Sequence, residues 1–279
     1  MAYDTFITYE TMYDDIMHDL IPKLPRDIVA VIGIPRSGLI AATIISTEFH
    51  VPMGVLGCDG FFGGNRVKNI SAAVGNKVVV IDDSVNSGKT FRQYEKEIVE
   101  LSKTFEVIKA SVYMKQGAEK TTSVFAKYLK VPRIFEWNLF NSFKIGEMIF
   151  DLDGVFCHDP EVFDDDGIKY QNNIANAIPL HIPTYPIKAI CTNRIERWRG
   201  ITEEWLKRYD IKYGKLVMCP YATAEERRKR GDKAKYKAKN YVTLNGSLFI
   251  ESSMNQAKHI AEISKRNVLS LEDKRIYTP

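Results

Sequence analysis

Short, unbroken apolar runs alternate along this chain with stretches of helical period, the pattern of parallel α/β layers. Ile28–Ile34 is the first buried-strand run, and it ends in Pro35-Arg36-Ser37-Gly38. Met12–Leu20 before it reads as a helix; Leu39–Phe49 after it reads as another, followed by a strand over Met53–Leu56. Lys77–Ile81 is a second all-apolar strand, closed by Asp82-Asp83, with a helix over Phe91–Leu101 and a strand over Val107–Met114 beyond it. Between these halves of the pattern, residues 59–75 carry Gly60, Gly63, Gly64 and Gly75 among Asn65, Arg66 and Lys68, the composition of a long mobile loop.

The pattern restarts after an aromatic segment containing Phe135, Trp137, Phe140 and Phe143. Glu147–Leu152 predicts a strand ending in Asp151 and Asp153, and Ile187–Cys191 a strand ending at Thr192-Asn193. A helix over Ile195–Tyr209 would place Trp198, Ile201, Trp205 and Tyr209 at three- to four-residue spacing, so these belong to a core. Ala224–Lys239 predicts one strongly charged helix, Ser247–Ile250 a last strand ending at Glu251, and Asn255–Lys265 a closing helix.

A length of 279 residues with 45% hydrophobic content favours two domains, divided by this pattern into 1–143 and 144–279. The net charge of +4 is far from the footprint of a dedicated nucleic-acid binder. Cys58, Cys157, Cys191 and Cys219 are widely spaced with no C-x-x-C pair, which argues against a zinc site or a disulfide framework and for a reducing compartment. The first ten residues are acidic and aromatic, unlike a signal peptide, and no apolar stretch is long enough to span a bilayer. A cytoplasmic location with no membrane partner is the expectation.

The run from Val78 to Thr90 is the most informative of the first half. A buried strand delivers two adjacent carboxylates, and a loop of Ser84, Asn86, Ser87, Gly88, Lys89 and Thr90 then enters a helix. Backbone N–H groups and the positive end of a helix gathered in this way cradle phosphate, while neighbouring carboxylates accept hydrogen bonds from sugar hydroxyls. A nucleotide-triphosphatase loop ends similarly, but it needs glycine where this chain has Asp83. The plainer alternative is a tight strand-to-helix turn with two solvated acids.

This run resembles the PRPP-binding motif of type I phosphoribosyltransferases over about residues 1–142. The resemblance implies that Asp82 and Asp83 hold the ribose hydroxyls and that Ser84 to Thr90 wrap the 5′-phosphate. It also implies that Arg36, Ser37 and Gly38 meet the leaving pyrophosphate, and that the Gly-rich loop is a lid with Arg66 or Lys68 as its cation. Asp83 is counted among the catalytic residues. The chemistry is loss of pyrophosphate from the anomeric carbon, which asks for Mg²⁺, cationic donors and exclusion of water.

In the second half, Asp151 and Asp153 stand at i and i+2, on one side of a strand end. One can attack phosphorus while the other acts as general acid and base. A calcium loop would need Glu twelve positions along, and Val162 stands there. Asp-x-Asp-Gly after an apolar strand resembles the first motif of HAD-like (haloacid-dehalogenase-like) phosphatases. The resemblance makes Thr192 a phosphate-binding hydroxyl, Lys237 (or else Lys235) the neutralising lysine, and Asp151, Asp153 and Glu251 the ligands of Mg²⁺. Glu251, followed by two serines, departs from the aspartate usual in the fourth motif. The gaps from Asp153 to Thr192 and from Thr192 to Glu251, about 40 and about 60 residues, leave no room for a large cap domain.

The fold class expected is therefore α/β, as two Rossmann-like parallel-sheet domains, a phosphoribosyltransferase-like one and a capless HAD-like one. Three functions stay open. The first is a bifunctional enzyme of nucleotide metabolism, joining a nucleobase to ribose 5-phosphate from PRPP and hydrolysing a phosphate ester. The second is a phosphatase governed by a PRPP- or nucleotide-sensing domain. The third is a nucleic-acid end phosphatase whose 227–239 helix tracks a backbone, a reading that the low net charge disfavours against a solvated basic face. PRPP and a nucleobase or nucleotide are the expected partners, with a homodimer left open.

Overall fold

The computed structural model describes residues 3–62, 75–161, 167–230 and 233–279. They form two compact units, Ile7–Val131 and Pro132–Pro279, with residues 1–6 counted in the second. In chain order the elements of the first stretch are β1 (Thr5–Ile7), α1 (Tyr9–Asp15), β2 (Ile28–Gly33), α2 (Gly38–Phe49), β3 (Met53–Val55) and β4 (Phe61–Phe62). They continue with β5 (Lys77–Val85), α3 (Lys89–Gln93), α4 (Glu95–Leu101), β6 (Glu106–Met114) and β7 (Val124–Tyr128).

The first unit's sheet runs β4-β3-β2-β5-β6-β7, parallel throughout except for β4. Buried Val78, Val80, Ala30 and Ile32 of its central strands pack with Phe91 and Ile98. Two differences from the sequence pattern bear on the site. β5 runs on through Asp82 and Asp83 to Val85, because β6 offers ladder partners at Ser111, Tyr113 and Met114. The acids therefore sit within the strand. The helix expected over Phe91–Leu101 is two short helices meeting at Tyr94. Most of the Gly-rich segment, with Arg66 and Lys68, lies outside the described residues.

The second unit continues with β8 (Arg133–Phe135), β9 (Ile149–Phe150), α5 (Ile168–Ala175), β10 (Ile187–Ile195), α6 (Arg199–Arg208) and β11 (Tyr213–Cys219). It closes with α7 (Ala224–Arg230), α8 (Lys233–Leu244), β12 (Phe249–Glu251), α9 (Met254–Ser264), β13 (Val268–Ser270) and β14 (Arg275–Tyr277). Its six-stranded sheet has the order β11-β10-β9-β12-β13-β14, with β14 alone antiparallel. Alternation along β9 sends Phe150 to one face, with Ile190 and Ile250, and Ile149 to the other, with Ala189 and Phe249. Trp198 and Trp205 are buried in the first of these cores, with Ile201 and Tyr209 packed against it.

Several boundaries move. A division at 143/144 falls inside the second unit, because Phe140 stacks on His181 and packs beside Phe150 and Phe156. Residues 3–6 join it too: Tyr3 is buried in that core and its carbonyl accepts a 2.7 Å bond from Asn267 Nδ2. Of the single charged helix expected over Ala224–Lys239, the described residues form α7 up to Arg230 and α8 from Lys233, which runs on to Leu244, and residues 231–232 lie outside them. β12 is not the last strand, since β13 and β14 follow it. β7 and β11 have mixed burial along their length, so their polar residues mask the strand signal.

Candidate functional sites

In each sheet the chain reverses direction of winding at one point, and ligands in open α/β sheets bind outside the strand carboxyl ends there. In the first unit that point lies between β2, flanked by β3, and β5. The segment after β2 is tied to β5 where the Ile34 amide donates to the Ile81 carbonyl at 2.8 Å, and its Pro35–Arg36 peptide is cis. Gly38 brings α2 against the acidic strand: a Cβ there would stand 2.6 Å from the Ile81 oxygen and 3.1 Å from Asp82 Cα. A glycine at that position is what lets the Arg36-Ser37 turn sit beside Asp82.

Asp82 and Asp83 are each 7% exposed, and the Asp83 amide donates to Asp82 Oδ1 at 2.9 Å. Burial, then the charge of Asp83, push the Asp82 carboxyl up to about 8. Such a pair lacks the hydration that ions prefer, and hydroxyl groups of a sugar would supply hydrogen bonds in its place. The following loop is open. Asn86, Ser87 and Lys89 are exposed, Ser84 and Thr90 half-buried, and Gly88 buried. Arg92 Nη1 donates to the Ser87 carbonyl at 2.8 Å and holds the turn in shape. α3, five residues long, brings too little macrodipole for the helix-end contribution expected from sequence, which leaves loop amides, hydroxyls and Lys89 as the groups an anion could meet here.

In the second unit β9 lies between β10 and β12, again at the reversal. The structure brings Asp151, Asp153, Thr192 and Lys237 to one cavity at these strand ends. Asp151 is fixed by its amide bond to the Ile250 carbonyl at 2.9 Å. Gly154, at φ +73°, turns the chain where a Cβ would stand 2.5 Å from Ser252 Cβ. Lys237, 1% exposed, donates to Asp151 Oδ2 at 2.6 Å and to Glu251 Oε2 at 2.7 Å. Burial works against the Lys237 charge, yet Asp151 and Glu251 together raise it. Asp151 is pushed well up by burial and by Glu251, with Lys237 drawing it back, since one ammonium cannot neutralise two carboxylates.

Three partners here were not singled out from sequence. Arg194, 2% exposed, grips Asp153 with Nε 3.0 Å from Oδ2 and Nη2 2.5 Å from Oδ1. Its own amide donates to Thr192 Oγ1 at 3.2 Å, and Nη1 to Thr202 Oγ1 at 3.3 Å. Asp159 also lines the cavity, its carboxyl raised by burial and then by Asp153 and Glu251. Arg227, from α7, joins it with Nη1 on the Asn193 carbonyl at 2.8 Å. The signal for Arg194 was present, as an arginine two residues beyond Thr192 at an apolar strand end. Asp159 comes from loop sequence that carries no such signal, and Arg227 from the basic 227–239 segment that reads as a solvated face.

Asp151, Asp153 and Glu251, the Mg²⁺ ligands that the resemblance implies, are paired here with cations of the chain itself. Among the described residues no three His, Cys, Asp or Glu side chains are grouped to hold a metal ion. Both Asp153 oxygens are engaged by Arg194, and Glu251 is fully buried on Lys237. Among the described residues no helix is long and apolar enough to cross a membrane.

No family model matches the chain, and no curated protein matches it. Among solved structures it is similar to the xanthine-guanine-hypoxanthine phosphoribosyltransferase of Helicobacter pylori, at 16% identity and a TM-score of 0.40, over 50% of this chain and 95% of that one. It is similar as well to a purine phosphoribosyltransferase of Pyrococcus horikoshii Ot3, at 26% identity and 0.36, over 48% and 93%. A third is the orotate phosphoribosyltransferase of Aeropyrum pernix, at 18% and 0.33, over 43% and 70%. TM-scores of this size carry no inference about activity.

Proposed function

We propose that the chain is an enzyme with two sites. The first unit transfers the phosphoribosyl group of PRPP to a nucleobase. The second hydrolyses a phosphate monoester through an aspartyl-phosphate, as the likeness to HAD-like phosphatases implies. What supports the first reading most is one juxtaposition: the buried acids Asp82 and Asp83 stand between the Arg36–Gly38 turn and the open Ser84–Thr90 loop. An acid pair for ribose hydroxyls then has an anion cradle on either side, one for the 5′-phosphate and one for pyrophosphate. In the reaction the bond from C1′ to the pyrophosphate oxygen breaks, a bond from C1′ to a base nitrogen forms, and the displaced N–H proton passes to solvent.

The second reading rests on Lys237, sealed between Asp151 and Glu251. A buried ammonium beside the candidate nucleophile is placed to take charge from a phosphoryl group arriving at Asp151. Lys237 holds Oδ2 of Asp151, so Oδ1 is the atom that attacks phosphorus as the ester P–O bond breaks. Asp153, oriented by Arg194, gives a proton to the departing oxygen and takes one from the water that then cleaves the aspartyl-phosphate. Thr192 Oγ1, oriented by the Arg194 amide, is the hydroxyl donor for a phosphoryl oxygen.

Release of pyrophosphate and of phosphate from PRPP, with Mg²⁺ and a panel of bases, tests both readings at once. Base-dependent pyrophosphate release should vanish in Asp83→Asn and persist in Asp151→Asn. Release of phosphate from monoesters should show the opposite dependence. Phosphatase activity that responds to PRPP with no base-dependent pyrophosphate would make the first unit a sensor.

A further inference from the structure

The cavity at Asp151 measures about 190 Å³, small against the roughly 300–1,000 Å³ of sites that enclose a whole small molecule. It has room for a phosphoryl group and little of what the group is attached to. The remainder of any substrate must lie outside it. A second cavity, of about 380 Å³, adjoins the first, and the two share Asn193, Arg227 and Lys233.

The two differ in how their charge is balanced. At the reacting end Asp151, Asp153 and Asp159 stand with Arg194, Lys237, Arg227 and Lys233, and the first two of these cations are held by Asp153 and Asp151. The adjoining cavity is lined by Arg227, Lys233, Lys235 and Lys239, and no carboxylate is among the described residues around it. Its apolar wall includes Tyr236, whose hydroxyl donates to the Met218 carbonyl at 2.5 Å and so fixes the ring. Lys233, Lys235 and Lys239 have exposed side chains, and α8 carries them on the same helix as the buried Lys237. One helix thus delivers a buried cation to the phosphoryl group and solvent-facing cations to whatever extends beyond it.

Resting on the phosphatase reading, we infer that the second site takes phosphate monoesters whose leaving group carries a second phosphate, bound in this basic annex. Lys237 and Arg194 are held by carboxylates, so a second anion is met by the exposed Lys233 and Lys239 of the annex. A nucleoside bisphosphate or a polynucleotide end has this chemistry, and neither is needed to explain the reacting end alone. The basic helix is therefore a specificity element, where its sequence reads as a solvated face.

The test compares kcat/KM for phosphate release from adenosine 3′,5′-bisphosphate, from the two adenosine monophosphates, and from a short oligonucleotide with a terminal phosphate. The bisphosphate should exceed the monophosphates by about tenfold at low ionic strength, an advantage that salt screens. In Lys235→Ala and Lys239→Ala that ratio should collapse toward unity, and the lysines' exposure leaves the fold intact. If the oligonucleotide leads, the second phosphate belongs to a polynucleotide; if the bisphosphate leads, to a free nucleotide; either supports the annex. Equal kcat/KM for mono- and bisphosphates overturns it. Should no ester be hydrolysed, the phosphatase reading fails separately, and calorimetry decides the annex. Tighter binding of the bisphosphate than of AMP, lost in Lys239→Ala, would sustain it, and equal affinities would sink it.

Discussion

Both candidate sites place acids at the carboxyl ends of central strands, and they manage that charge in opposite ways. In the first unit Asp82 is set beside another acid, and its carboxyl is driven up to about 8 by burial and by that neighbour. In the second, distant parts of the chain bring cations to the acids: Lys237 from a helix reaches Asp151 and Glu251, and Arg194 from the adjacent strand reaches Asp153. The first arrangement costs stability until a ligand brings hydrogen bonds. The second is a set of mutually dependent ions, each of which is costly to bury without its partner. Substituting one member should therefore have opposite effects on stability in the two units.

The largest effect expected is from Lys237→Met, which leaves Asp151 and Glu251 buried without their shared ammonium. Loss of one partner of a buried ion pair costs about 3–5 kcal/mol, so the urea midpoint should fall steeply while phosphate release disappears. Unchanged stability would mean that the acids take up protons at little cost and that the ion set is not what holds this end of the sheet. Arg194→Met should cost less, about 2 kcal/mol, since Asp153 keeps some solvent contact with its side chain 17% exposed. If Arg194 acts by orienting Asp153, kcat should drop with little change in KM, and Arg194→Lys should restore part of it. A rise in KM alone would place Arg194 on the substrate instead.

The same contrast governs how far each site can be read from sequence. The first site is contiguous. Buried strand, acids and phosphate loop follow one another from Val78 to Thr90, so one run shows them together. Its misreadings are local, with β5 carried past the acids by its partner β6 and α3 stopping after five residues. The second site is assembled from the ends of β9, β10 and β12 and from helices. Asp151, Asp153, Thr192 and Lys237 stand out because their flanking apolar strands or their charge mark them, and the fold gathers them in one cavity. Glu251 stands out as well, but its role depends on a contact that sequence does not display: it meets Lys237 and is fully buried. Asp159 reaches the cavity from a loop of ordinary surface composition and Arg227 from a basic segment that reads as a solvated face, and only the packing of the chain places them at this site.

The smallest predicted change is the one of opposite sign, from Asp82→Asn. An aspartate held near 8 in the folded protein and near 3.8 when unfolded retains its proton over that interval only in the native state. The native protein then binds more protons than the unfolded one, so wild-type stability falls as pH rises from about 4 to about 8. Below that window both states are protonated and the penalty is absent; above it both are ionised and the penalty is complete. Asparagine cannot ionise, so the variant should lack this slope and be more stable than wild type at pH 8.5 by about 1–2 kcal/mol, with little difference at pH 4. Thermal unfolding of both proteins across this range measures it, and parallel curves would show that the Asp82 carboxyl is relieved by some contact other than its ligand. PRPP-dependent activity should be lost in the same variant, because a neutral amide cannot match a carboxylate as acceptor for two sugar hydroxyls. Greater stability together with lost activity would identify the acid pair as strain kept for binding, a role that the ion-paired acids of the second unit cannot have.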